Sequence, residues 1–193
     1  MYRNVLLWLC CMLPLAGIGQ QGLTKPDFVS ASYYGDLLIF SGFKLSAGWE
    51  LASKTKTRKR SGKAIGKSTY LVPGLMNFGI RQGQKNWQLG ADLERIRIHS
   101  KGNAYRLLQA GLYGNWTFNS GPTYTYDGTD VGESYGTSRF YVVPDLAFGF
   151  GRKFGSQKLV DLAAKFHAYG KMPYNSFFAL PGFAFELRLK YAL

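Results

Sequence analysis

The sequence predicts an all-β chain: an eight-stranded antiparallel transmembrane β-barrel with a charged, packed lumen. Three observations carry that prediction. Apolar and polar residues alternate with period two through most of the chain. The alternating segments run to roughly 11–17 residues, against about 5–6 for a strand of a soluble sheet and about 9–11 for one crossing a membrane. Six of the acids and six of the cations fall on the polar parity of those segments, which sets a greasy face against an ionic one.

The chain opens on a different kind of segment. Residues 1–19 place Arg3 before an apolar run from Val5 to Leu15, followed by Gly17-Ile18-Gly19. That is the layout of a secretory signal peptide, and its apolar run is shorter than the roughly 20 residues of a membrane-spanning helix. Cleavage is expected after Gly19, leaving residues 20–193 as one barrel domain. Cys10 and Cys11, the two cysteines of the chain, leave with the signal, so the mature protein needs no disulfide. Arg3 leaves as well, and the net charge falls from +13 to 13 − 1 = +12.

In 37–51, Phe43, Leu45, Ala47, Trp49 and Leu51 alternate with Lys44, Ser46 and Glu50. In 67–81, Tyr70, Val72, Met76, Phe78 and Ile80 share one face. In 87–98, Trp87, Leu89, Ala91 and Leu93 alternate with Gln88, Asp92 and Glu94. The phase then slips at Ile96 and Ile98, which predicts a bulge there. Segments 104–118, 139–150, 158–169 and 177–193 continue the pattern, with Leu108, Leu146, Phe148, Leu162, Phe166, Phe183, Phe185 and Leu187 on the greasy face. Barrels of this class close on an even number of strands, so the eighth is expected in 24–34, around Asp27 to Tyr33, where alternation is weakest.

The connections are of two kinds. Turns 82–86, 99–103 and 151–157 are short and contain glycine, 170–176 is intermediate, and 119–138 is a long polar loop holding Asp127, Asp130 and Glu133. With the C-terminus on the periplasmic side, the long loop faces outward. Residues 53–67 then face the periplasm as a basic loop of Lys54, Lys56, Arg58, Lys59, Arg60, Lys63 and Lys67. A solvated loop or one bound to anionic headgroups or an acidic partner both fit such a run. Nucleic acid is not expected as a partner, because a secreted chain rarely meets it.

Glu50, Asp92, Glu94, Asp145, Asp161 and Glu186 account for six of the eleven acids, and all lie on the polar parity. Lys44, Arg81, Arg139, Lys165, Arg188 and Lys190 share that parity. In a soluble sheet the apolar face would need a covering layer, which this sequence does not supply. In a barrel, lipid covers the apolar face and the two signs of charge pair inside. The expected lumen network comprises Lys44, Glu50, Arg81, Asp92, Arg139, Asp145, Asp161, Lys165, Glu186 and Arg188, with His167 satisfied beside it. Trp49, Trp87 and Trp116, with Tyr105, Tyr113 and Tyr191, lie near strand ends, as the aromatic belts at membrane interfaces do.

The signal segment, the alternating strands and the closing stretch Phe183-Ala184-Phe185-Glu186-Leu187-Arg188-Leu189-Lys190-Tyr191-Ala192-Leu193 resemble small outer-membrane β-barrel proteins of Gram-negative bacteria, with an OmpA/OmpX-like architecture. The stretches Tyr34-Gly35-Asp36-Leu37-Leu38 and Pro173-Tyr174-Asn175-Ser176 add to the likeness without implying an activity. The resemblance implies outer-membrane lipid as surroundings and the barrel-assembly machinery as a biogenesis partner that reads the last strand. Leu193 stands where such strands more often end in Phe.

Chemistry beyond this is sparse. His99 and His167 do not form a metal-ligand spacing, and no cofactor motif is present: Gly149-Phe150-Gly151-Arg152-Lys153-Phe154-Gly155 is one residue too long for GxGxxG and lacks a following helix. Some small outer-membrane barrels modify lipid A with a Ser–His–acid set. The nearest counterpart, His99-Ser100 with Glu94, places adjacent residues on opposite faces of a strand. The expectation is therefore a non-enzymatic barrel with a structural or interaction role, such as an accessory subunit of an envelope complex. A lipid A-modifying enzyme and a soluble lipocalin-like carrier are the alternatives, the carrier requiring apolar residues inside and polar ones outside.

Overall fold

The computed structural model describes residues 25–36, 40–57, 64–79, 83–99, 103–126, 128–155, 157–173 and 178–193. The expected signal segment, Arg81, Ser100, Asp127 and the cations Arg58, Lys59, Arg60 and Lys63 lie outside them.

Eight strands close into an antiparallel ring: β1 (Phe28–Asp36), β2 (Phe40–Thr57), β3 (Ala64–Gly79), β4 (Gln84–His99), β5 (Ala104–Asn119), β8 (Thr137–Phe154), β9 (Val160–Lys171) and β10 (Leu180–Ala192). A separate hairpin, β6 (Thr123–Tyr126) with β7 (Val131–Ser134), stands in the connection between β5 and β8. The segment expected to be a plain polar loop is thus partly ordered, because Thr123-Tyr124-Thr125-Tyr126 and Val131 favour extended backbone. The weakly patterned β1 closes the ring by pairing with both β2 and β10.

The register fixes how far the strands tilt. Phe28 faces both Gly48 and Ala192, so Trp49 is level with Leu193. The other way round, the row Trp49–Leu71–Leu93–Ala110–Leu146–Ala168 meets β10 at Phe183, 193 − 183 = 10 residues away. A stagger of that size goes with strands inclined by about 35–45° and an interior that side chains fill. On β5 the outward apolar residues run from Leu108 to Phe118, 118 − 108 = 10 residues. At about 3.3 Å per residue and a tilt of about 40°, they span about 25 Å along the axis, the height of a bilayer-facing band.

Two sequence expectations change here. The pairing of β4 with both neighbours is continuous, and the irregularity lies instead in β2, between Glu50 and Ala52. Ile96 and Ile98 do not slip to the lipid side. They keep the inward parity of Asp92 and Glu94, and Ile96 is buried in a cluster with Tyr105, Leu107 and Ala163. The basic stretch is also not one loop. Lys54 and Lys56 belong to β2 and Lys67 to β3, with Lys54 opposite Lys67. Alternating Thr and Ser among these cations let both strands continue past the membrane-facing row.

Candidate functional site: the charged lumen

The wall sorts its residues by the pleat. Leu108, Leu146, Phe148, Leu162, Phe166, Phe183 and Leu187 are exposed on the outer face, the first two to 62% and 64%. On β8, β9 and β10, Asp145, Asp161, Lys165, Glu186 and Arg188 are buried inside, as are Asp92 and Glu94 of β4. This is the reverse of a lipocalin-like carrier, whose outer face is polar. Some inward wall positions are glycines because lumen side chains occupy their space. A Cβ on Gly111 would overlap the Asp92 carboxylate, and one on Gly151 would overlap the Tyr105 ring.

The charges form one connected layer. Lys44 of β2 donates to Asp92 at 2.9 Å and to the Tyr113 hydroxyl at 3.0 Å, and Tyr113 in turn donates to Asp92. Arg188 of β10 grips Glu94 of β4 through both terminal nitrogens, at 2.6 and 3.0 Å. Lys165 of β9 sits 3.1 Å from Glu186 and 3.4 Å from Glu94, and donates to the Gln109 side-chain oxygen at 2.8 Å. His167 spans two carboxylates, Asp145 at 2.8 Å and Glu186 at 3.0 Å. A carboxylate only accepts, so this geometry has both ring nitrogens donating and the imidazole positively charged. Lys190 lies 3.7 Å from Asp161, which also accepts from Tyr105.

The arithmetic of the layer is even: Lys44, Lys165, His167, Arg188 and Lys190 face Asp92, Glu94, Asp145, Asp161 and Glu186, five of each sign. Buried charge is tolerated only when paired in this way. Apolar clusters lie on either side. Ile96, Tyr105, Leu107 and Ala163 pack toward the termini, and Tyr34, Met76, Phe78, Tyr113, Tyr141, Val143 and Ala184 pack toward the far end. Beyond the second cluster, Asn86, Asn115 and Thr117 hydrogen-bond to one another.

Of the residues expected in the network, Lys44, Asp92, Asp145, Asp161, Lys165, Glu186 and Arg188 meet in this layer. Glu50 and Arg139 do not: both have inward parity but lie near opposite barrel rims and are exposed. Glu50 accepts a hydrogen bond from Tyr70 instead. Glu94 and Lys190, absent from the expected set despite their parity, are members. Tyr105 and Tyr113, expected in the aromatic belts, are 2% and 1% exposed and act as lumen hydrogen-bond donors. Trp87, Trp116 and Tyr191 do lie on the outer face. Glu94 faces Arg188 within the lumen, so it is not available to a hydrolytic set with His99 and Ser100. Among the described residues, no group of three His, Cys, Asp or Glu could hold a metal ion.

A closed barrel with apolar residues outside and ion pairs inside belongs to the transmembrane β-barrels. No protein-family model matches the sequence, and no curated protein matches it. Among solved structures the chain is similar to Neisserial surface protein A, with a TM-score of 0.51 and 10% identity over 86% of this chain and 95% of that one. The outer membrane enzyme PagL (TM-score 0.49, 14% identity, 86% and 99% covered) and the Yersinia pestis outer membrane protein Ail in a bilayer nanodisc (0.33, 11%, 88% and 100%) are also similar. At such identities the likeness to Neisserial surface protein A is one of fold, that of the small outer-membrane barrels.

Proposed function

We propose that the chain is an outer-membrane barrel protein with a non-catalytic structural or interaction role, a subunit for other envelope components to dock on. The observation that supports this is the filled lumen. Five ion-paired residues of each sign lie between two apolar clusters, so transport through the barrel would require breaking a buried network. The surfaces left to act are the outer wall and the end loops. The β6–β7 hairpin carries Tyr124, Tyr126 and Val131, exposed to 63%, 70% and 64%, and Tyr135 beside it is 67% exposed. Exposed aromatic groups are what binding partners most often use as anchors. In this reading residues 1–19 are removed on export, the termini face the periplasm and the hairpin faces outward.

The test pairs two measurements. Refolded protein in planar bilayers should give no steady channel current. A photo-crosslinking residue replacing Tyr126 in intact cells should capture a discrete envelope protein. A stable pore conductance would refute the sealed-lumen reading, and absence of any discrete adduct from Tyr124, Tyr126 and Tyr135 alike would refute the hairpin as the docking element.

A further inference from the structure

Cations of four adjacent strands stand side by side on the outside of the wall. Lys54 of β2 faces Lys67 of β3, Lys67 faces Arg97 of β4, and Arg97 faces Arg106 of β5. Arg95 and Arg152 join this band from neighbouring outward positions, and all but the half-buried Lys67 are exposed. Like charges directly opposite each other on a sheet repel. The acids of these strands, Glu50, Asp92, Glu94 and Asp145, lie on the inward parity, so the outward positions supply no counter-charge. Arg97 and Arg106, opposed in that row with Arg95 one outward position away, form a guanidinium cluster with no acid on the described outward positions of these strands, and such a cluster suits an anion from outside the chain.

The surface above the row says what kind. An outer groove of about 430 Å³ runs from Arg95 past Leu108, Ala110 and Leu146 to Phe148 and Ala168. Alanines make its floor low, larger residues make its sides, and the register carries it away from the termini toward the middle of the apolar band. A cation at the bottom of an apolar furrow, with two more guanidinium groups beside it, matches a molecule with a phosphate at one end and an acyl chain at the other. A second outer groove, of about 650 Å³ between β1, β2, β3 and β10, is lined by Val29, Ala31, Leu45, Leu75 and Leu189 and has no charged residue along it.

We propose that the wall of β4, β5, β8 and β9 holds one anionic phospholipid of the leaflet surrounding the termini. Its acyl chain lies along Leu108, Ala110 and Leu146, and its headgroup phosphate is bound by Arg95, Arg97 and Arg106. Guanidinium groups suit this task because their planar donors meet phosphate oxygens two at a time. The inference rests on the transmembrane reading above and adds a lipid class and an address to it. Lipids in the uncharged second groove exchange freely and without preference for headgroup charge.

The test is lipid retention in native mass spectrometry of refolded full-length mature protein from detergent doped with phosphatidylglycerol, phosphatidylethanolamine or lipopolysaccharide. The unmodified protein should retain one phosphatidylglycerol in preference to phosphatidylethanolamine. The triple variant Arg95→Gln, Arg97→Gln, Arg106→Gln should weaken that retention by about a hundredfold, as three headgroup-level cations at about 1 kcal/mol each would. The corresponding Lys triple should keep it, and Ala110→Trp, which fills the groove, should lose it with the charges intact. Equal retention by the Gln triple, equal retention of phosphatidylethanolamine, or preferential retention of lipopolysaccharide would each overturn the proposal. Insertion of every form into neutral phosphatidylcholine vesicles, read by heat-modifiable gel mobility, separates the two levels. If all forms insert and none prefers phosphatidylglycerol, the lipid site alone fails; if none inserts, the membrane reading fails with it.

Discussion

Replacing Glu94 with Leu removes the acceptor of a two-point contact with Arg188 in the lumen. Glu94 receives two hydrogen bonds from Arg188, at 2.6 and 3.0 Å, and has Lys165 at 3.4 Å. Both Glu94 and Arg188 are shut away from solvent, at 0% and 1% exposure. Without the carboxylate, Arg188 keeps its charge and loses its only hydrogen-bonded anion among the described residues. Breaking a buried pair from one side costs about 3–5 kcal/mol. Arg188→Leu should cost less, because Glu94 retains Lys165. The double variant Glu94→Leu, Arg188→Leu removes one charge of each sign and leaves the layer balanced at four against four. It should therefore recover most of the loss, since an apolar pair of similar volume is often no worse than the ions it replaces. The assay is reversible urea unfolding of the barrel in lipid vesicles, followed by tryptophan fluorescence. A Glu94→Leu cost below about 1 kcal/mol, or a double variant whose cost equals the sum of the singles, would refute the view that these charges stand in one coupled network.

Further outcomes follow from the same geometry. Leu146→Arg, on the outward row Trp49–Leu71–Leu93–Ala110–Leu146–Ala168, should cost about 2–4 kcal/mol in the same unfolding assay, the depth-dependent penalty of a cation facing the bilayer core. Tyr113→Phe removes the hydroxyl shared by Lys44 and Asp92 and should cost about 1–3 kcal/mol, with the strand content by circular dichroism unchanged. Gly111→Ala should destabilise the barrel more than Gly121→Ala, because a methyl group at Gly111 meets the Asp92 carboxylate and one at Gly121 meets nothing; matched melting curves check the order. In intact cells, Thr129→Cys should react with a membrane-impermeant thiol reagent and Ser61→Cys should not, a clean reading when Cys10 and Cys11 leave with residues 1–19 as proposed; the opposite pattern would invert the proposed topology.

The side of the wall that most residues take was legible from the sequence, because period two is a property of the strand alone. Alternation around Asp145, Lys165, Glu186 and Arg188 therefore located most of the charged layer. Height along the axis was not legible, since it depends on the ten-residue stagger between strands that are distant in sequence. That is why Glu50 and Arg139, with the right parity, lie near the rims, and why Lys190, close to the chain end, lies inside. Tyr105 and Tyr113 misled for a related reason: an aromatic residue near a strand end fits a membrane belt as well as a lumen cluster, and only cross-strand partners such as Asp161 and Asp92 decide between them. Ile96 and Ile98 resembled a slip in phase because a lumen was expected to be polar throughout. Their burial with Tyr105 and Leu107 shows that the charge layer is bounded by apolar packing. The basic band on the outer wall was hidden because its row is assembled from four strands, and Lys54 and Lys67 read as loop until paired.

The central claim, that greasy residues face lipid while the lumen is closed by ions, is tested most directly by fluorescence quenching of the mature protein in vesicles of brominated phosphatidylcholine. With residues 1–19 removed as proposed, the tryptophans are Trp49, Trp87 and Trp116, and Trp87 and Trp116 are 41% and 40% exposed on the outer face. The account predicts that bromine on the acyl chains quenches most of the emission, and that Leu146→Trp adds a signal quenched most strongly by bromine near the bilayer centre. Emission from Leu146→Trp that brominated lipid leaves untouched, in protein stably associated with the vesicles, would contradict it.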